Sequence, residues 1–228
     1  MKFTVLLLTL FSLVNASAQY AIVADTDSFT NIRSGAGKQY PVLDSLKNGS
    51  IVFLYEAEGN WCPIDYGFEN KKFKSGWIYI SKTKPLDAFT PIPALVSNDS
   101  VLIYQWDSCK MTITERNFKP AKHKFKYLLQ EDGDSSVINI DGKQFWGTDG
   151  YMPETEYGKC QLKTGKKIVN LPIVTLYNPN LDLTNLYIDR SSNTLYLVAY
   201  NSDGAGGYAV LWVMKNGNLI NQCITYGF

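Results

Sequence analysis

The sequence predicts an all-β protein of two successive domains, a small N-terminal barrel and a larger antiparallel β-sandwich or barrel-like domain. Three observations carry this. Apolar and aromatic residues alternate over short runs bounded by Gly, Asn, Asp or Pro, which is the pattern of half-buried strands. Turn pairs such as Asp141-Gly142, Asp203-Gly204 and Asn216-Gly217 separate the runs. No segment sustains the 3.6-residue apolar period of an amphipathic helix over four turns. The Asn-Gly pair is the firmest hairpin signal, because both central residues of a type I′ turn need positive φ.

Residues 1–18 read as an export signal. Lys2 supplies the positive start, Phe3 to Val14 an apolar run, and Ala16-Ser17-Ala18 the small residues before a cleavage site, so the mature chain is expected to begin at Gln19. The apolar run is shorter than the roughly 20 residues that cross hydrocarbon, and no later segment is long and uncharged enough. The expectation is therefore a periplasmic or extracellular protein that is not integral to the membrane. No Cys follows the cleavage region to carry a lipid anchor. Strands of the first domain, 19–86, are expected at 20–24, 51–56, 61–66 and 76–80. In the second of these Ile51, Phe53 and Tyr55 alternate with Val52 and Leu54, so both faces are usable. Pro85, Pro91, Pro93 and Asn98-Asp99 cannot continue a central strand, which places a linker at 87–99. The second domain, 100–228, is expected to hold strands at 101–106, 111–115, 124–130, 136–140, 168–174, 186–189, 194–200, 208–214 and 219–226. Glu131-Asp132-Gly133 and Ser192-Asn193 mark further turns, and one helical turn is expected at 182–186.

Charge narrows the partner. Without Lys2 the count is 22 − 1 = 21 basic against 21 acidic side chains, a balance with little pull on nucleic acid. Lys119, Lys122, Lys124 and Lys126 read as a solvated face, offset by Glu131, Asp132 and Asp134. Cys62, Cys109, Cys160 and Cys223 are an even number in an exported chain, and at least one disulfide is expected among Cys109, Cys160 and Cys223. Their spacing is too wide for a zinc ribbon and His123 is the single His, so no metal site and no cofactor is called for.

Asn31, Arg33, Ser34, Gly35, Gly37, Tyr40, Pro41 and Val42 stand in one run, followed by Trp61 and Gly76-Trp77. In this order they resemble the bacterial SH3-type domain, over roughly residues 20–86. Ala36 and Thr30 depart from the family pattern, and 67–75 looks like an extended hairpin. Gly35 and Gly37 are expected to supply backbone angles closed to other residues. The resemblance implies a small β-barrel that binds peptidoglycan or a protein or peptide partner. Tyr40, Trp61 and Tyr79 offer flat rings for contact, and Arg33 could meet a carboxylate, though its simpler role is to brace the glycine loop. Trp77 is expected in the core.

Catalysis finds little support. A cysteine peptidase needs a thiolate at a helix start and a distant His base, whereas Cys109 precedes His123 by 14 residues with no helix start around it. His123 reads as a surface residue. Paired carboxylates could still act on a glycosidic bond, with Asp141, Asp149, Glu154 and Glu156 as candidates for a cell-wall hydrolase. The Gly-bearing segments 146–153 and 201–208 neither follow a strand nor open a helix, so they are not phosphate loops. If they share a rim, Trp146, Tyr151 and Tyr208 would form a recognition edge. A lipid-facing barrel, suggested by the terminal Phe228, fails because several strands are polar on both faces. The expected function is non-catalytic binding in the cell envelope, with an envelope structural or inhibitory partner protein as a further alternative.

Overall fold

The computed structural model describes residues 19–69, 72–129 and 134–226. The expected export signal at 1–18, Lys71, the turn expected at Glu131-Asp132-Gly133 and Phe228 lie outside the described residues. Among the described residues there is no α-helix, and no helix is long and apolar enough to cross a membrane. The fold is all-β, and the strands of its sheets pair antiparallel.

Seven strands make the N-terminal sheet: β1 (Gln19–Val23), β2 (Phe29–Arg33), β3 (Val42–Lys47), β4 (Ile51–Leu54), β5 (Trp61–Glu69), β6 (Lys72–Tyr79) and β7 (Thr83–Pro85). Their order is β3-β2-β6-β5-β4-β1-β7. Ile32 of β2 and Val23 of β1 share one core cluster although three strands separate them, so the sheet curls round its own interior.

Twelve strands follow: β8 (Thr90–Ile92), β9 (Ala94–Asn98), β10 (Val101–Trp106), β11 (Cys109–Asn117), β12 (Phe125–Leu129), β13 (Ser135–Ile140), β14 (Thr155–Thr164), β15 (Lys167–Asn170), β16 (Thr184–Asp189), β17 (Thr194–Asn201), β18 (Tyr208–Lys215) and β19 (Asn218–Tyr226). Two five-stranded sheets, β15-β14-β11-β10-β9 and β19-β18-β17-β16-β8, pack around one large core as a sandwich. β12 and β13 form a separate hairpin over a small cluster of Phe118, Val137, Ile140 and Tyr177. Residues 87–99, read above as a linker, carry β8 and β9. Both are edge strands, the place in a sheet that Pro91 tolerates.

The sheet containing β17 and β18 is covered on both faces. In β18, Tyr208, Val210, Trp212 and Met214 enter the sandwich core, while Ala209, Leu211 and Val213 meet Tyr20, Ile22 and Phe53 of the N-terminal sheet. β1 and β4 are likewise two-faced: Ala21, Val23, Val52 and Leu54 fill the barrel interior. The Tyr20 hydroxyl crosses the seam and donates to the carbonyls of Ala209 and Cys223 at 3.1 and 3.0 Å. Burying a side chain such as Ile22, Phe53, Leu211 or Val213 stabilises by about 1.5–3 kcal/mol, so the seam is expected to make the two halves one mechanical unit.

Turn chemistry behaves as read. Asp141-Gly142 and Asn216-Gly217 hold positive φ at both central residues, 53° and 76° in the first and 50° and 68° in the second. The helical turn expected at 182–186 is instead an Asn180 side-chain turn. Its Oδ1 accepts from the amides of Asp182 and Leu183, and β16 starts at Thr184. The disulfide expected among Cys109, Cys160 and Cys223 is absent, and all four thiols are free. Cys62, Cys160 and Cys223 are buried in three different clusters, which keeps them apart.

Candidate binding groove

The β5–β6 ladder sets Trp61 opposite Tyr79 and Pro63 opposite Trp77, and Arg33 of β2 pairs with Trp77. Cys62, Ile64, Ile78 and Ile32 point inward and are almost fully buried. Alternation then turns Trp61, Trp77, Tyr79 and Arg33 to the outer face. Trp77, expected in the core, is therefore only half-buried, because Ile78 takes the inward position. Trp61 and Tyr79 meet edge to face with ring centroids 5.4 Å apart.

These residues border a groove of about 350 Å³ whose lining includes Asp25, Asp27, Phe29, Asn31, Arg33, Lys38, Trp61, Tyr79 and Lys82. Three of the four expected contact residues, Arg33, Trp61 and Tyr79, come together there. Tyr40 does not line it. Its ring lies over Gly35, where a Cβ would stand 2.7 Å from the ring. Neither Gly35 nor Gly37 has positive φ, so Gly35 is needed for space and not for a special backbone angle. Arg33 braces the loop: its Nη1 donates to the carbonyls of Lys38 and Tyr40 at 2.9 and 2.8 Å. Phe29 was missed in the sequence. It is 49% exposed while its neighbour Thr30 is buried, so the ring stands on the outer face with Arg33.

The groove carries both signs of charge. Lys82 Nζ donates to Asp25 Oδ1 at 2.7 Å, and this bond chiefly holds the Asp25 carboxyl below its usual range and raises the Lys82 amine. Asp25 also accepts from the amide of Asp27 at 3.2 Å, so its oxygens serve the turn. Asp27, which also helps raise the Lys82 amine, and Lys38 line the groove beside the rings. The site thus sets an aromatic ledge between an acid and an amine.

The C-terminal candidates divide between two places. Asp149 and Glu154 line a cavity of about 840 Å³ with Asp99, Glu115, Asp182 and Asp203 and no Lys or Arg. The segments 146–153 and 201–208 do share its rim, held together by the Gly147 carbonyl, which accepts from Asn178 Nδ2 at 2.7 Å and Ser202 Oγ at 3.0 Å. Their rings differ from expectation: Trp146 and Tyr208 are buried in the sandwich core, and Tyr151 alone is exposed. Asp141 and Glu156 instead bracket His123. Its Nδ1 lies 2.7 Å from Asp141 Oδ2 and its Nε2 3.9 Å from Glu156 Oε2. His123 is thus no free surface residue, since its ring also stacks on Phe118 at 4.6 Å. Arg116 Nε donates to Glu156 at 3.0 Å. The Lys124 amide and then His123 keep the Asp141 carboxyl below its usual range. Lys119, Lys122, Lys124 and Lys126 are all exposed. Among the described residues no group of three or more His, Cys, Asp or Glu is placed to hold a metal ion.

Residues 28–82 match the family model of the bacterial SH3 domain, while the C-terminal half has no family match. Over 60 residues the chain is 37% identical to Bacteriocin BCN5 of Clostridium perfringens, a stretch covering 26% of this chain and 7% of the bacteriocin. No solved structure matches the chain at a significant level. The braced glycine loop and the outward Trp61–Tyr79 pair lie within the matched span, while β1 and β7 of the curled sheet lie outside it: residues 28–82 of this chain are a bacterial SH3 domain.

Proposed function

We propose that the chain is an exported, non-catalytic binding protein of the cell envelope whose SH3 domain grips peptide, in the first instance the peptide stems of peptidoglycan. The observation that carries this reading is the convergence of Phe29, Trp61 and Tyr79 with Arg33, Asp27 and Lys38 on one groove. Rings hold a ligand at small rotamer cost, and the acid and the amine beside them orient it. The family match supports a role in recognition. The pairing of Glu156 with Arg116 and of Asp141 with His123 weighs against these two acids as a hydrolase pair, and the fragment-release arm of the test below decides the case of Asp149 and Glu154. The test is co-sedimentation with purified sacculi. The full chain pellets, the Trp61→Ala Tyr79→Ala double variant stays in the supernatant, and no soluble wall fragment is released. Equal pelleting of the double variant, or fragment release, sinks the reading.

A further inference from the structure

A second groove, about 490 Å³, runs along the seam between the SH3 domain and the sandwich, the kind of inter-domain position that ligand sites favour. Neither domain forms it alone. Ile22 and Ile51 come from the N-terminal sheet, Phe89 from the connection, and Tyr196, Val213 and Ile220 from the central sheet of the molecule. Ile220 is 57% exposed, an aliphatic side chain left facing water at the end of an apolar floor.

The lining charges are unequal. Lys84 Nζ stands 3.9 Å from the centroid of the Phe89 ring. Lys215 pairs with no carboxylate among the described residues. The one acid in the lining, Asp189, accepts from the Ser191 amide at 3.0 Å and from the Ser191 and Ser192 hydroxyls at 2.7 Å each; it stays ionised and also feels Lys84, so the lining carries two amines against one carboxylate and Lys215 is the amine left over. The groove therefore offers an apolar floor, two amines and the neutral polar groups of Thr194 and Asn221.

We propose that this groove binds the carboxyl-terminal end of a peptide whose last residue is aliphatic. The side chain rests on Ile51, Val213 and Ile220, and the carboxylate meets the Lys215 and Lys84 amines. A peptide fits better than a bare hydrocarbon acid because hydroxyl and amide groups interleave with the apolar ones, matching a backbone. The inference does not depend on the Trp61 groove.

Fluorescence polarisation on the full chain tests it, with fluorescein-labelled Gly-Ala-Leu as free acid and as carboxyl amide. The free acid binds at least about tenfold more tightly than the amide, the difference one charge-assisted contact supplies. Lys215→Gln, a change at an exposed side chain, removes most of that preference, and the Trp61→Ala Tyr79→Ala chain keeps it. Equal binding of acid and amide, binding of neither, or a preference that survives in Lys215→Gln overturns the proposal. So does displacement of the probe by decanoate at lower concentration than by unlabelled peptide.

Discussion

Tyr20→Phe probes the seam with the smallest possible change. The side chain has no exposed surface, and its single hydroxyl proton is shared between the carbonyls of Ala209 and Cys223, on two strands of the other domain. Phenylalanine keeps the edge-to-face contact with Phe53, 4.9 Å between centroids, so packing is nearly preserved. What is lost is one buried hydrogen bond, with net worth about 0.5–1.5 kcal/mol, plus the cost of leaving acceptors dry, which takes the total to about 1–3 kcal/mol. In a chain of this length each kcal/mol moves the melting midpoint by about 2–4 °C, so the variant should melt about 2–12 °C lower. Burial pushes the Tyr20 phenol far above its usual range, so the effect should not depend on pH near neutrality. Differential scanning calorimetry reads both the midpoint and the number of transitions. A variant melting within about 1 °C of wild type, or a wild-type trace resolving into two independent transitions, would refute the idea of one mechanical unit.

Two further outcomes are expected. All four thiols are free, burial raises the Cys62 and Cys160 thiols, and it pushes Cys223 up to about 12. A thiol-reactive chromogen should therefore label the half-exposed Cys109 first and reach four thiols only in denaturant; a lower denatured count would mean a disulfide. Asp25, held low chiefly by Lys82, stabilises the fold above its unfolded value of about 3.9 and loses that contribution as pH falls through the depressed folded value. Unfolding midpoints measured across acid pH should drop more steeply below about pH 4 in wild type than in Asp25→Asn. Identical slopes would contradict the assignment.

The sequence spoke clearly wherever one face of a strand was wet. Turns at Asp141-Gly142 and Asn216-Gly217 were legible from residue type alone, since few residues accept positive φ. β14, the longest strand of the sandwich, escaped. Gly158 is an extra residue in the ladder, where Thr114 pairs with Lys159 and Glu115 with Tyr157. That bulge shifts the phase, so the inward residues Tyr157, Cys160 and Leu162 do not alternate evenly. The docking of the two domains had a signal that went unread. The runs 195–199 and 208–214 are apolar at every position, which a strand with one wet face is not, and the second cover proves to be the SH3 domain. At the candidate site, Arg33, Trp61 and Tyr79 were legible from the motif. Trp77 was misplaced because its size was weighed above its position beside the inward Ile78. Phe29 was missed because a single exposed ring carries no periodicity. Prolines 91 and 93 suggested a tether where the chain in fact uses two edge strands.

The most direct measurement of the central claim is the quenching of tryptophan fluorescence as soluble stem peptide is titrated into the full chain. Saturable quenching that disappears in Trp61→Phe Tyr79→Ala, with the melting midpoint of that variant essentially unchanged, is the predicted result. Quenching that persists undiminished in the variant would place the ligand elsewhere and contradict the assignment of the SH3 groove.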